Sequence, residues 1–177
     1  MAAFAKIWRR AHMDPDDIFF PDVEDIRSHA IAFAQLMFAH SKFEREVRSL
    51  QGAITNDLNF GEQRSNQWTA RQRPERMAKL IKGHLGDDLQ EAGPIAKLLS
   101  DAIGPCDRRN FLAHGEWWCF NTRTLTITVR SRTRWNDGQP EQVEYTAQEI
   151  EARVREFERL EIELFKLRRR IEARHAE

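Results

Sequence analysis

The chain has 177 residues, which is enough for one domain with its own hydrophobic core. Hydrophobic residues make up 41% and charged residues 32% of it, as expected of a helix-rich globular protein. Lys and Arg together number 28, and so do Asp and Glu. This balance excludes the global basic field that marks many nucleic-acid-binding proteins, so any such surface must be local.

Cysteine usage and the opening segment favour a cytoplasmic protein. Cys106 and Cys119 are the two cysteines, and no CxxC pair is present, which favours reduced thiols. In the opening MAAFAKIWRRAHMD the charges follow a short apolar stretch, the reverse of a secretory signal. No run approaches the roughly 18 to 20 apolar residues that a membrane span requires, so we expect no membrane partner.

Residues 1–21 predict an N-terminal arm, and residues 22–177 predict a single domain. A long helix is predicted from about Asp22 to Gln51, with Asp22 as its N-cap. Apolar residues recur along this helix at helical spacing: Ile26, Ala30, Phe33, Met37 and Val47.

Glu44 lies on this predicted apolar stripe. It follows Ile26 by 18 residues, which is five full turns of an ideal helix. A buried, unpaired carboxylate would cost several kcal/mol. We therefore expect Glu44 to pair with Arg108 or Arg109 and to orient a cleft there.

Polar residues 58–74 predict an exposed connection that ends at Pro74, a natural first-turn residue. A second helix is expected over about 75–85, broken by Gly83 and Gly86. Pro94 opens a third helix. Gly104-Pro105 then interrupts or kinks the chain before a segment that runs to His114, and Gly115 is predicted to end that helix in the left-handed conformation.

The hydrophobic period then changes to that of β-strands. EWWCF predicts a short strand before the Asn121-Thr122-Arg123 turn. In TLTITVRSRTRW, Leu125, Ile127 and Val129 are predicted to share one strand face. Asp137-Gly138 predicts a hairpin turn with a returning strand near 141–145.

A capping box, TAQE, predicts the start of the last helix, with Thr146 as the cap and Glu149 reaching back. Apolar residues at spacings of three and four predict a seam that packs on other helices or on a partner chain. The seam consists of Ile150, Val154, Phe157, Leu160, Leu164, Leu167 and Ile171.

The segment RRNFLAHGEWW, residues 108–118, carries the candidate chemistry. Arg109 is a permanent cation whose planar fork suits phosphate. His114 is of the type that most easily exchanges a proton near neutral pH. A five-residue offset on one helix is about 140°, so a second copy across a two-fold axis is the arrangement that would bring two of each into one cleft. From spacing alone, roles as cap and ion-pair residues stay open.

Arg130, Arg132 and Arg134 alternate along the predicted strand and are expected to share a face. Between residues 105 and 135 there are six arginines and two acidic residues, a local charge of +4. Such a patch could bind an RNA phosphate backbone, or it is an ordinary solvated strand edge. Trp117 and Trp118 are predicted to cover the core rather than to stack on a ligand.

Arg109, Asn110 and His114 in RNFLAH resemble the Arg-polar-x3-His signature of the HEPN superfamily. The longer RNFLAHGEWW is similar to the variant RN-x-(L/V)-AHG-x-W of many small bacterial HEPN-like proteins. The resemblance covers most of the chain in architecture, and residues 108–118 in specific residues. It implies a mainly α fold, a HEPN-like helical bundle with a β-hairpin of two or three strands at about 116–145 before the C-terminal helix.

Catalytic HEPN proteins are typically metal-independent endoribonucleases that act as homodimers with composite sites. The resemblance implies that His114 assists proton transfer, that Arg109 stabilises charge on the phosphate, and that Asn110 orients its neighbours. Products would carry a 2′,3′-cyclic phosphate and a 5′-hydroxyl. RNA, a second copy and an antitoxin protein are the implied partners, in bacterial defence, toxin–antitoxin systems or RNA turnover.

Two other functions stay open: a non-catalytic HEPN-like dimerisation or interaction module, and a small-ligand or nucleotide sensor. No HxxxH or HExxH spacing and no flanking cysteine pair is present, so no metal site or cofactor is predicted.

Overall fold

The structure is a computed structural model that describes residues 18–19, 24, 26–57, 68–86 and 90–175. The chain order of its elements is β1 (Ile18–Phe19), α1 (Arg27–Thr55), α2 (Arg73–Leu85), α3 (Ala92–Asp101), α4 (Ile103–His114), β2 (Glu116–Asn121), β3 (Thr126–Asn136), β4 (Gln139–Thr146) and α5 (Ala147–His175). The prediction of a mainly α fold with a small antiparallel sheet before the C-terminal helix is confirmed. Among the described helices, none is long and apolar enough to cross a membrane.

The chain forms two compact units, each assembled from separate stretches. The first contains the described residues of Met1–Ala34 together with Asn110–Glu151, and the second contains those of Gln35–Arg109 and Ala152–Glu177. The predicted arm over 1–21 lies outside the described residues except at β1. A single domain over 22–177 stays a prediction.

The first unit contains the sheet, whose strand order is β1-β2-β3-β4 with every neighbouring pair antiparallel. The predicted turn at Asp137-Gly138 is confirmed, because both residues have positive φ, 49° and 76°, as a two-residue type I′ hairpin requires. Leu125 was wrongly placed on a strand face. It lies in the preceding turn with a φ of 51° and is 61% exposed.

The junction between α4 and β2 corrects the role predicted for Gly115. Its φ is not positive, unlike that of Gly86 and Gly138. Glycine is required at this position because a side chain has no room. An added Cβ would overlap Val129 Cγ1 and lie 2.6 Å from the Phe111 carbonyl oxygen and 2.9 Å from that of Arg130. The end of α4 thus packs directly on the backbone of β3.

In the second unit the core comes from helix faces. On α1 the buried apolar side chains lie one position away from most of the residues that the sequence predicted to be buried. Of the predicted residues, Ile26, Ala30, Phe33 and Met37 are only half-buried. The buried apolar residues of α1 in this unit are Leu36, Ala39, Phe43, Val47, Leu50, Ala53 and Ile54. The α5 seam is confirmed apart from half-buried Val154.

Helix boundaries follow local chemistry, with shifts from the predictions. α1 ends at Thr55 rather than Gln51, and the predicted cap Asp22 lies outside the described residues. Pro74 does occupy the first turn of α2. The break between α3 and α4 falls at Ala102, not at Gly104-Pro105, because a proline in the first turn of a helix forfeits no intrahelical hydrogen bond.

The capping box of α5 is confirmed in both directions. The Thr146 backbone N–H donates to Glu149 Oε2 at 2.8 Å, and the Glu149 N–H donates to Thr146 Oγ1 at 3.1 Å. Two N–H groups at the helix start are thereby satisfied, which fixes where β4 becomes α5.

The packing at Gly115 predicts that Gly115→Ala lowers the free energy of unfolding by about 1 to 3 kcal/mol, because carbonyl oxygens of the backbone must shift. Gly104→Ala is the matched control, since nothing lies within 4 Å of its added Cβ. It should leave stability unchanged or raise it by up to about 1 kcal/mol. Urea denaturation of both variants measures this, and equal effects would contradict the assigned role.

Candidate functional site

Helix α4 carries the side chains predicted for catalysis. His114 is its last residue and is exposed, which confirms the predicted helix end. Arg109 is half-buried, while Arg108 and Asn110 are exposed. Arg109 belongs to the second unit, and Asn110 and His114 belong to the first. Helix α4 therefore sets the distance between Arg109 and His114. The His114 imidazole is exposed where α4 ends, so a ligand can reach it.

In the first unit, Trp117 anchors β2 to the end of α4. Its Nε1 donates a hydrogen bond to the Leu112 carbonyl oxygen at 3.1 Å. Its ring also meets Phe33 edge-on, with centroids 5.4 Å apart. Trp117 is therefore the covering residue predicted from the sequence. Its hydrogen bond also ties the start of β2 to the last turn of α4.

Trp118 and Arg130 form a stacked pair in the same sheet. The Arg130 guanidinium lies 3.9 Å from the centroid of the Trp118 ring, a close cation–π contact. Trp118 is half-buried. The sequence did not predict that Trp118 and Arg130 stack on each other. The contact fixes the guanidinium of a half-buried arginine in place.

The predicted shared face of Arg130, Arg132 and Arg134 does not hold through the whole strand. The β3–β4 register shifts between Arg130 and Trp135, and such a bulge breaks the alternation of side chains. Within it, Ser131 Oγ accepts hydrogen bonds from the backbone N–H groups of Thr133 at 3.2 Å and Arg134 at 2.8 Å. Arg132 and Arg134 are exposed, whereas Arg130 is half-buried.

A buried polar cluster in the second unit surrounds Glu44. Arg73 Nη2 donates to Glu44 Oε2 at 2.7 Å, and His40 Nε2 donates to Glu44 Oε1 at 3.2 Å. The side chains of Arg73 and His40 are each only 10% exposed, and that of Glu44 is 22% exposed. The expectation of a paired carboxylate is met, but the predicted partners, Arg108 and Arg109, were wrong.

The Glu44 cluster keeps its carboxylate ionised. Burial by itself would raise the pKa of Glu44, but the hydrogen bond from His40 and the charge and hydrogen bond of Arg73 outweigh it. Together they lower the pKa from 4.5 to about 2. The carboxylate is therefore a permanent acceptor at neutral pH.

Cys106 of α4 adjoins the same cluster. Its thiol, the carboxylate of Glu44 and the imidazole of His40 each offer a donor atom, and these atoms lie within 4.8 Å of one another. Burial raises the pKa of Cys106 to about 12, against a smaller lowering by the positive charge of Arg73. The thiol is thus protonated in the absence of a bound cation.

Sequence reasoning missed His40, Arg73 and Cys106 as one group. The sequence contained part of this information, because His40 and Glu44 are four residues apart and so share a helix face. Arg73 and Cys106 come from other helices, and no local spacing identifies them.

Comparison with protein-family models, with curated proteins and with solved structures found no match for this chain. The resemblance to HEPN proteins therefore stays a prediction from the sequence motif in residues 108–118.

Ionisation of Glu44 predicts a pH-dependent effect of Glu44→Gln, measured in excess chelator. The folded pKa lies below the unfolded value, so the charge contributes fully above about pH 4.5 and its contribution is lost as pH falls through about 2. We expect the variant to be less stable by about 3 kcal/mol at pH 7, with the difference shrinking across that window.

Denaturant titrations at a series of pH values provide the measurement. The control is Glu75→Gln, which removes an exposed pair with Lys79 and should change stability little at any pH. A Glu44→Gln effect that stays constant between pH 7 and pH 2 would contradict the assignment.

Proposed function

We propose that this protein is a metal-independent endoribonuclease of the HEPN type with a composite site in a homodimer. The observation that carries the proposal is the exposed His114 at the end of α4, five residues after Arg109 and directly before the tightly packed Gly115. The chain then continues into an antiparallel sheet and a long closing helix, the order typical of small bacterial HEPN-like proteins.

The proposed chemistry assigns one role to each residue. His114 moves the proton of the ribose 2′-hydroxyl or of the leaving oxygen. Arg109 stabilises the charge that builds on the phosphate. Asn110, exposed beside Arg109, orients its neighbours, and exposed Arg108 adds positive charge. Cleavage then leaves a 2′,3′-cyclic phosphate and a 5′-hydroxyl.

Glu44 supports the proposed site indirectly. It pairs with Arg73 and His40 rather than with Arg109, so it does not orient the catalytic guanidinium as predicted from the sequence. Its contribution is to the packing of the unit that contains Arg109. A cytoplasmic setting in bacterial defence, in a toxin–antitoxin pair with an antitoxin protein, or in RNA turnover fits such an enzyme.

The nuclease proposal predicts that the parent protein cleaves mixed RNA in excess chelator. His114→Ala should lower the rate by about 10²- to 10⁴-fold, because it removes the proton-transfer group. Arg109→Ala should lower it by about 10²- to 10³-fold, because charge stabilisation is lost. His84→Ala is the matched control, since His84 is likewise an exposed histidine in the last turn of a helix, α2.

End-group analysis of the products and melting temperatures of all variants complete that experiment. Cleavage that survives both substitutions would show a contaminating nuclease and refute the assignment. A folded parent that cleaves none of several RNAs would equally refute it.

An RNA partner has separate support from the sheet. Arg132 and Arg134 are exposed at the bulge of β3, and the Arg134 contact with Glu141 is long, at 3.8 Å. Their guanidinium groups are accessible to a phosphate backbone. Arg130 is half-buried and stacks on Trp118 instead, so the proposed RNA contact is assigned to Arg132 and Arg134.

RNA binding by this surface predicts a change in salt dependence. In the His114→Ala background, adding Arg132→Ala or Arg134→Ala should reduce the slope of log K against log salt by about 1 each. Arg159→Ala, which removes an exposed arginine of α5, should leave the slope unchanged. Fluorescence anisotropy with a short RNA measures it, and equal slopes for all variants would exclude the surface.

The second candidate function is a non-catalytic helical dimerisation or interaction module. One observation favours it: α1 and α5 expose large apolar side chains in the second unit, with Phe38 65%, Ile162 52% and Phe165 46% exposed. Exposed apolar residues of this size are typical of protein–protein contacts when they form a contiguous patch. A folded dimer that cleaves no RNA would support this function instead.

A further inference from the structure

The second unit contains a group of side chains that the proposed nuclease chemistry does not use. His40 and Glu44 lie one turn apart on α1, and Cys106 lies on α4. Their donor atoms are within 4.8 Å of one another. Cys106 is 2% and His40 8% exposed, so the group is largely shielded from solvent.

The combination of donor atoms in this group points to zinc. Imidazole nitrogen, carboxylate oxygen and thiolate sulfur are the three ligand types that zinc takes in proteins, at about 2.0 to 2.3 Å. Tetrahedral coordination at such distances separates neighbouring donors by roughly 3.3 to 3.8 Å. His40 Nε2 and Glu44 Oε1 are already 3.2 Å apart, so small side-chain rotations would complete three positions.

Arg73 provides a second, independent observation. Its Nη2 is bound to Glu44 Oε2, the oxygen that does not face His40. Its Nη1 is buried and has no hydrogen-bond partner among the residues that the structure describes. Buried donors are almost always satisfied, so this N–H indicates an acceptor that the described residues do not supply. A deprotonated Cys106 sulfur in the cluster would be such an acceptor.

We propose that His40 Nε2, Glu44 Oε1 and Cys106 Sγ bind a zinc ion, with Arg73 holding the outer oxygen of the carboxylate. On binding, the Cys106 thiol loses its proton to solvent. The His40 proton moves to Nδ1, so that Nε2 can donate its lone pair. The fourth position takes a water molecule, as in zinc sites with three protein ligands.

This site is separate from the proposed RNA chemistry. Zinc would stabilise the second unit by joining α1 to α4, and RNA cleavage would need no metal. The two proposals therefore fail independently. Activity in chelator tests the nuclease, whereas metal binding is read from spectra and composition.

The test uses cobalt(II) as a spectroscopic substitute for zinc in the full-length, chelator-treated protein. We expect one cobalt per chain, with visible bands of tetrahedral coordination and a near-ultraviolet thiolate-to-cobalt charge-transfer band. Cys119→Ser, which removes the other buried cysteine, should keep that band. Cys106→Ser should lose it and weaken binding by more than the about 10- to 100-fold typical of losing an outer partner.

Zinc should displace the cobalt at one equivalent and raise the melting temperature of the parent and of Cys119→Ser. The Cys119→Ser variant keeps the test decisive if Cys106→Ser fails to fold, because Cys106 is then the one thiol left. A folded parent without a charge-transfer band, or a band that Cys119→Ser abolishes, would overturn the proposal.

Discussion

A carboxylate taken largely out of water must be paired, and Glu44 is the residue where this constraint shapes the second unit. One carboxylate oxygen accepts a hydrogen bond from Arg73 and the other accepts one from His40. These partners keep the carboxylate ionised, although burial alone would raise its pKa. The pairing joins the start of α2 to the middle of α1, beside Cys106 of α4. Removing one partner would leave a buried charge uncompensated, which is far more costly than losing a surface pair.

A second constraint, steric rather than electrostatic, governs the end of α4. Gly115 lets the helix terminus approach β3 so closely that no side chain fits, and Trp117 binds the Leu112 carbonyl just behind it. These two contacts lie on either side of His114, the last residue of the helix. The proposed catalytic imidazole is thus exposed next to closely packed backbone, which is the support that a functional side chain requires.

Elements whose chemistry is local could be predicted from the sequence. The Asp137-Gly138 turn, the capping box at Thr146 and the apolar seam of α5 each depend on residues a few positions apart, and they are found as expected except for half-buried Val154 in the seam. The helix end at His114 belongs to the same class. The candidate catalytic pair, Arg109 and His114, was selected through a motif that is also short, and its role stays a prediction.

What the sequence did not provide depends on tertiary contacts. Arg73 is 29 residues from Glu44 along the chain, and nothing in local spacing selects it over Arg109. The role of Gly115 comes from β3, which follows it in the chain, and the bulge after Arg130 comes from pairing with β4. The Glu44–Cys106 proximity likewise arises from helix packing, so the proposed metal site could not be expected from spacing alone.

The central claim is that Glu44 is ionised and paired inside the second unit. Carbon-13 NMR titration of its side-chain carboxyl in chelator, assigned with Glu44→Gln, measures this directly. The account predicts a midpoint near 2, and a midpoint at the ordinary value of 4.5 would contradict it.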